Sequence, residues 1–310
     1  MMVLKDYLGT AVTIHFVSVK DFGAVGDGTT DDASAIQSAL DALKNTGGII
    51  YFPAGTYLVE TPVLFYSNQT LLFENGAVLL QGAEIDSILR SYCNTSYTAY
   101  NGVHDVVIYG GIFDGGTHTT NNTLIAIGHT KNVTFEKCTF KNAYGTYHNL
   151  EVNSSYNCKA IDCDFEGARK SGENAELIQI DGASSALVYP WTGFNTDGTV
   201  CKFIEVKGCI FHDDTVSPAI GNHSDLVHEN VSIHDCVFDG FTSTRGAINF
   251  TASIKGVNIY DNVFDGCDKA VGSGSTEYFV HGNRIISAGT YAIASSAISH
   301  GNMINGSYVE

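Results

Sequence analysis

The sequence predicts an all-β solenoid, and three observations predict it. A phrase returns along the chain: Asn132-Val-Thr-Phe-Glu-Lys-Cys-Thr-Phe140 recurs as Lys159-Ala-Ile-Asp-Cys-Asp-Phe165, Phe203-Ile-Glu-Val-Lys-Gly-Cys-Ile-Phe211, Asn230-Val-Ser-Ile-His-Asp-Cys-Val-Phe238 and Val257-Asn-Ile-Tyr-Asp-Asn-Val-Phe264. Cys138, Cys163, Cys209, Cys236, Asn262 and Asn283 form one column with steps of 25, 46, 27, 26 and 21 residues, and Gly111 stands 27 before Cys138. The repeats alternate apolar and polar residues instead of following a helical period, so each coil is one rung of short strands. The 46-residue step marks where the coil opens.

Composition agrees with one elongated body. The 33 glycines among many Asn, Asp, Ser and Thr favour turns, and self-similarity from about residue 105 onward argues against a second domain. Sixteen Lys+Arg against 33 Asp+Glu give a net charge of -17, which repels phosphate backbones and offers nothing to anionic lipid. Nucleic acid and membrane are therefore not expected partners. The apolar run 11–17 is too short to span a bilayer and lacks the flanks of a signal peptide.

Of the eight cysteines, four share one rung position where Asn and Gly also stand, which reads as an inward stack of free thiols. No Cys-x-x-Cys or His-x-x-x-His spacing occurs, so neither a structural metal nor a cofactor is expected.

In chain order, residues 1–16 read as an arm and 17–310 as the solenoid. Val17 to Asp32 is a short strand and a Gly/Asp-rich turn, with Thr30 or Asp31 the natural N-cap of a helix over about 32–44, whose apolar positions are Ala33, Ile36, Leu40 and Leu43. A lone amphipathic helix ahead of a solenoid reads as its cap. Gly48 to Val59 reads as two strands bent at Pro53-Ala-Gly55.

The run DFGAVGDGTTDD (21–32), with the later AIQ and GGIIYFPAGTYLV (47–59), resembles the opening of the pectate-lyase-like β-helix superfamily, which includes phage tail spikes and appendages, polygalacturonase-like hydrolases, lyases and mannuronan epimerases. The resemblance implies a single-stranded right-handed parallel β-helix with an N-terminal capping α-helix. It says little about the reaction, because one opening serves several chemistries. A tail-spike-like protein of the virion tail or the extracellular space, and a homotrimer, are what it implies in addition.

Residues 68–82 and 105–113 are early rungs. Ser91 to Asn101 and 167–200 are excursions, the second carrying Tyr189-Pro-Trp-Thr-Gly-Phe194. Long insertions on a repeat scaffold tend to gather on a binding face.

Each repeat holds a further strand. Ile125-Ala-Ile-Gly, Leu150-Glu-Val-Asn, Ile178-Gln-Ile-Asp and Ala247-Ile-Asn-Phe are read as one stack, Ile127 and Val152 each standing 11 residues before their cysteines. With Leu150, Val152, Ile178 and Ile180 inward, alternation turns Glu151, Asn153, Gln179 and Asp181 outward. Glu151 and Asp181 then lie on neighbouring rungs, offset by two positions, with backbones ~7 Å apart. Two carboxylates so placed can hydrolyse a glycosidic bond, one protonating the leaving oxygen and the other acting on the anomeric carbon or its water. The same pattern also describes the solvated face of an acidic protein.

Three features favour a site. His148 and Glu176 stand four residues before Val152 and Ile180, so they meet across adjacent rungs. Ala219 to Asp225 brings Asn222, His223 or Asp225 beside Asp181, and the aromatic excursion supplies Tyr189 and Trp191, which either stack on sugar or pack the loop. The candidate catalytic set is Glu151, Asp181, Glu176, His148 and His223; Gln179, Asn153, Tyr189, Trp191, Asn222 and Asp225 are candidate substrate contacts. Asn195-Thr-Asp-Gly198 with Asp213-Asp214 resembles polygalacturonase motifs, but Gly221-Asn-His223 replaces the Gly-His-Gly of that family and its Arg-Ile-Lys element is missing, so Asp197, Asp213 and Asp214 rank second. His212-Asp-Asp is a further cation candidate.

The leading expectation is a depolymerase hydrolysing a bacterial surface or capsular polysaccharide. Alternatives are a polygalacturonase-like hydrolase or lyase on uronic-acid polymers, or a non-catalytic glycan-binding or structural appendage. A lyase needs a nearby Lys or Arg, and only Arg169 and Lys170 stand near this face.

Overall fold

The computed structural model describes residues 2–5, 11–145, 147–167, 175–184, 193–212, 217–223, 226–251, 254–272, 278–286, 293, 297–305 and 307–309. Beyond an N-terminal antiparallel pair, Met2–Lys5 with Ala11–Ile14, the described strands form three long sheets of seven, eleven and twelve members. Successive strands of the chain pass from sheet to sheet and pair in parallel with their counterparts one coil away, except the last, Ser307–Val309, which turns back antiparallel to Asn302–Ile304. The result is a parallel β-helix. Among the described residues no helix is long and apolar enough to cross a membrane.

The stacked columns explain why the repeat is kept. Phe113, Phe140, Phe165, Phe211, Phe238 and Phe264 form one interior file with centroids 5.4, 4.6, 4.9, 4.8 and 4.7 Å apart. Cys138, Cys163, Cys209 and Cys236 form another, all buried and all free thiols, as the column in the sequence anticipates. Its amide continuation runs further than the sequence reading took it: Asn262, Asn283 and Asn302 each accept the backbone N–H of the preceding rung at 3.0 Å. Thiols and carboxamides can stand in for one another here because each places a polar atom beside inward-facing backbone groups.

The helix, Ala33–Ala42, closes the N-terminal end. The Gln37 carboxamide accepts from Leu64 N–H (2.7 Å) and donates to Leu64 O (3.1 Å), standing in for the strand missing beside the edge of the seven-stranded sheet. Asp31 accepts the Ala33 N–H at 3.0 Å, whereas the residue at the cap position, Asp32, turns back to take the N–H groups of Val25 and Gly26. The 167–200 segment is not one excursion. The strand Ile178–Asp181 lies within it and takes its place in the seven-stranded sheet.

Candidate functional site

The seven-stranded sheet carries the candidate site. Its register places Leu64, Arg90, Ala126, Glu151, Gln179, Gly221 and Asn249 in one row across the strands. Asn153 pairs with Asp181 in the next outward row, so Glu151 and Asp181 are diagonal neighbours, as alternation requires. The expected stacking of Ala247 with Ile178 is off by one residue. Ile248 pairs with Ile220, and the Ala247 carbonyl takes two donors, the N–H groups of Ala219 (2.7 Å) and Ile220 (3.1 Å).

His223 links the carboxylates. Its backbone N–H donates to Asp181 Oδ1 at 3.1 Å, and its Nε2 lies 2.9 Å from Glu176 Oε1 and 2.8 Å from Oε2. Gln179 Nε2 donates to the other Asp181 oxygen and stands 3.2 Å from His223 Nδ1. His148 Nδ1 is 2.8 Å from the Glu176 carbonyl and 3.9 Å from its carboxylate. Four of the five candidate catalytic residues, Asp181, Glu176, His148 and His223, are therefore linked directly, and Glu151 stands diagonal to Asp181 on the adjacent strand.

The face is not solvated. Asp181, Asn153 and Glu176 are 0% exposed and Glu151 and Gln179 only 3%, which rules out the alternative of a solvated face. Burial pushes the Glu151 carboxyl well above the usual carboxylate range; the Asp181 charge adds to this and the Asn153 amide opposes it. Burial also raises Glu176, against the pull of His223. For His223, burial opposes the charged form, but the hydrogen bond and charge of Glu176 hold it above the ordinary histidine value. His148 is pushed down to about 3 by burial and by His223. Asp181 accepts at both oxygens, an arrangement suited to a carboxylate.

Part of the cover comes from the two excursions. Phe194 stacks on His129 with centroids 4.7 Å apart, and both Phe194 and Cys93 pack against Ala126. Asn195 Nδ2 donates to Tyr97 O (3.0 Å), Ala99 N–H to Asp197 Oδ2 (2.9 Å) and Tyr100 OH to Val200 O (2.9 Å). Asp197 thus ties the excursions together, also taking the Thr199 N–H at 2.9 Å.

Asn222 does not face this cluster. It continues the core-facing column of Val152 and Ile180 and pairs with Phe250, one position short of the outward His223. Tyr189, Trp191, Asp213, Asp214, Asp225, Arg169 and Lys170 lie outside the described residues. His212 pairs with Asp164 at 2.8 Å.

Two contributors escaped the sequence reading. His129 is buried, with Nδ1 2.8 Å from Ala99 O and Nε2 2.8 Å from Asn195 O, so it braces both excursions. Gly221 leaves the room that Glu176 fills: a Cβ there would stand 2.9 Å from Glu176 Cγ. The only signal for either was position, one residue past a strand of the stack and within the outward row. The ligand atoms of His148, Glu176 and His223 lie within 4.8 Å of one another, a donor set that could hold a divalent transition metal ion.

A family described as rhamnogalacturonase A/epimerase, pectate lyase-like, matches residues 16–177. The chain is 30% identical over 328 residues to the plasmin and fibronectin-binding protein A of Streptococcus pneumoniae, covering 94% of this chain and 44% of that protein, so it spans less than half the length of this relative. Among solved structures, it is similar to the Streptococcus pneumoniae surface adhesin PfbA, with a TM-score of 0.76 at 24% identity, covering 94% of this chain and 80% of that one. It is also similar to ORF18 of Geobacillus virus E2, with a TM-score of 0.64 at 18% identity, covering 93% and 60%. At these identities the structural likenesses speak for the fold.

Proposed function

The chain belongs to the pectate-lyase-like rhamnogalacturonase A/epimerase family, and from that premise we propose that it is a carbohydrate-active β-helix hydrolysing a polysaccharide bound along the seven-stranded sheet. The observation that carries this reading is the contrast between Glu151, whose carboxyl burial holds in the acid form, and Asp181, which accepts hydrogen bonds at both oxygens one rung away. Glu151 protonates the leaving glycosidic oxygen, and Asp181 acts on the anomeric carbon or on the attacking water. His223 and Gln179 hold Asp181 in place. Substrate enters by displacing the cover over both carboxylates.

A bacterial surface or capsular polysaccharide as substrate, a tail-spike-like role in a virion or outside the cell, and a homotrimer belong to this proposal; the likeness to a viral protein supports the setting.

Two observations favour a second reading, a glycan- or host-protein-binding appendage without cleavage. Glu176 and Asp181 are fully buried, and the matched relative is named for binding plasmin and fibronectin.

Incubation with a panel of capsular, cell-wall and pectic polysaccharides separates the readings. New reducing ends that disappear in E151Q and D181N support hydrolysis. Unsaturated uronate absorbance overturns it in favour of elimination, and retention without any cleavage overturns it in favour of a binder.

A further inference from the structure

Phe203 breaks a rule that the rest of its column obeys. The residues at this rung position are Asn68, Asp105, Asn132, Asn157, Phe203, Asn230 and Gly256, as the strand registers require. All have positive φ, between 52° and 70°, and Phe203 has φ 58°. Asn, Asp and Gly tolerate this left-handed conformation; a phenylalanine is strained in it. The column also carries an amide ladder, with Asn157 Nδ2 donating to Asn132 Oδ1 (2.8 Å) and Asn132 Nδ2 to Asp105 Oδ1 (2.7 Å). Phe203 stands where the next amide belongs.

Burial gives little reason for the exception. Phe203 is 47% exposed, and its ring meets Tyr156 edge to face at 5.2 Å and 65°. Tyr156 leans on Tyr100 at 5.3 Å, and the Lys131 ammonium stands 5.9 Å from the Tyr156 ring centre. The patch adjoins the sheet of the candidate site: Tyr156 follows Asn153 by three residues, and Tyr100 is fixed by its hydroxyl to Val200 at the foot of the second excursion. An exposed phenylalanine ring beside two partly buried tyrosines, with an ammonium group at the rim, matches the two sides of a sugar ring, apolar C–H faces and a polar edge. Local strain held with little burial in return belongs to binding sites.

We propose that Phe203, with Tyr156 and Tyr100, forms a pyranose-stacking subsite beside the sheet, holding a ring of the same polysaccharide; the choice of ligand rests on the glycan reading given above.

The test compares the wild type with F203N, which restores an amide to the ladder, and F203G, which removes ring and strain alone. Retention is read by native electrophoresis through gels containing each polysaccharide of the panel, a measurement that does not depend on cleavage. Both variants are expected to lose three- to tenfold in retention, while melting rises by about 2–4 °C for F203N. Unchanged retention in both variants overturns the subsite, even where the wild type cleaves. Lower melting in both variants overturns it in favour of a packing role, and loss of self-association in sedimentation overturns it in favour of a protein interface. A wild type retained by none of the polysaccharides overturns the subsite, whereas retention without cleavage sinks only the hydrolase.

Discussion

His223 places Nε2 between the two carboxylate oxygens of Glu176, at 2.9 and 2.8 Å, while its own backbone N–H reaches Asp181 at 3.1 Å. One residue therefore couples two carboxylates at opposite ends of one strand, Glu176 just ahead of Ile178–Asp181 and Asp181 at its last position. The coupling depends on a third position. A methyl group at Gly221 would stand 2.9 Å from Glu176 Cγ, 3.1 Å from its Oε1 and 2.5 Å from the Asn249 carbonyl. G221A is expected to push Glu176 off His223 and lower stability by about 1–3 kcal/mol, since the strand carbonyl cannot give way. Equilibrium denaturation and the polysaccharide assay check this; wild-type stability and activity in G221A would mean that Glu176 does not need the space.

Acid should destabilise the fold through buried histidines. His228 Nδ1 accepts the Cys201 N–H at 2.9 Å, and burial pushes its pKa down from 6.5 to about 4. A histidine with a depressed folded value leaves the unfolded chain binding the extra proton, so stability falls as pH drops below 6.5 and levels off near 4, at about 1.4 kcal/mol per pH unit. His148 acts in the same sense down to about 3. Glu151 and Glu176, raised in the fold, oppose them, giving stability at low pH that is lost as pH rises through their folded values. The signs are separated by H228N, whose side-chain oxygen can still accept from Cys201. Its stability should decline less steeply than the wild type between pH 6.5 and 4; parallel curves would exclude His228 as a contributor.

The interior column makes a comparative prediction. Asn283 accepts the Asn262 N–H (3.0 Å) and donates to Ile259 O (3.0 Å) and Asn302 Oδ1 (2.9 Å), all buried. Cys209 makes only longer sulfur contacts, 3.4 Å each to Ala160 O, Lys207 O and the Cys163 N–H. N283A should therefore cost at least about 2 kcal/mol and C209A about 1 kcal/mol, because unmet backbone partners cost more than a weak thiol bond. Denaturant midpoints of the two variants give the order directly, and a reversed order would remove the hydrogen-bond account of the column.

The repeat was legible because stacking forces one residue class per column: Cys138 to Asn283 and the phenylalanine file declare themselves by spacing alone. Alternation likewise turned Glu151 and Asp181 to one face, and the His148–Glu176 meeting followed from equal offsets. Depth was not legible. Whether an outward row is wet depends on what folds over it, and segments such as 91–101 carry no period to show where they rest. Asn222 was assigned to the wrong face because one residue of register reverses a strand, and the same one-residue slip displaced the last alignment, where Ile248 and not Ala247 takes the place in the stack. Gly221 was silent, since its importance lies in a volume that another residue occupies.

The cover over the sheet makes the last prediction. Phe194 seals Ala126 and Cys93 by stacking on His129, which in turn touches the carbonyls of both Ala99 and Asn195. Cys93 is the one partly exposed thiol among the described cysteines, and burial raises its pKa to about 11, so it should react slowly with thiol reagents at neutral pH. F194A removes the seal without touching the coil. Its global stability should fall by only about 1–2 kcal/mol, below the range for a fully buried phenylalanine, while Cys93 labels markedly faster and the Ala99 amide, bonded to Asp197, exchanges sooner. If the excursions gate substrate, F194A should also lower the KM for polysaccharide more than it changes kcat. Unchanged Cys93 labelling in F194A would show that the ring is not the seal, and the route to Glu151 and Asp181 would then lie on the His223 side, where the imidazole is 29% exposed.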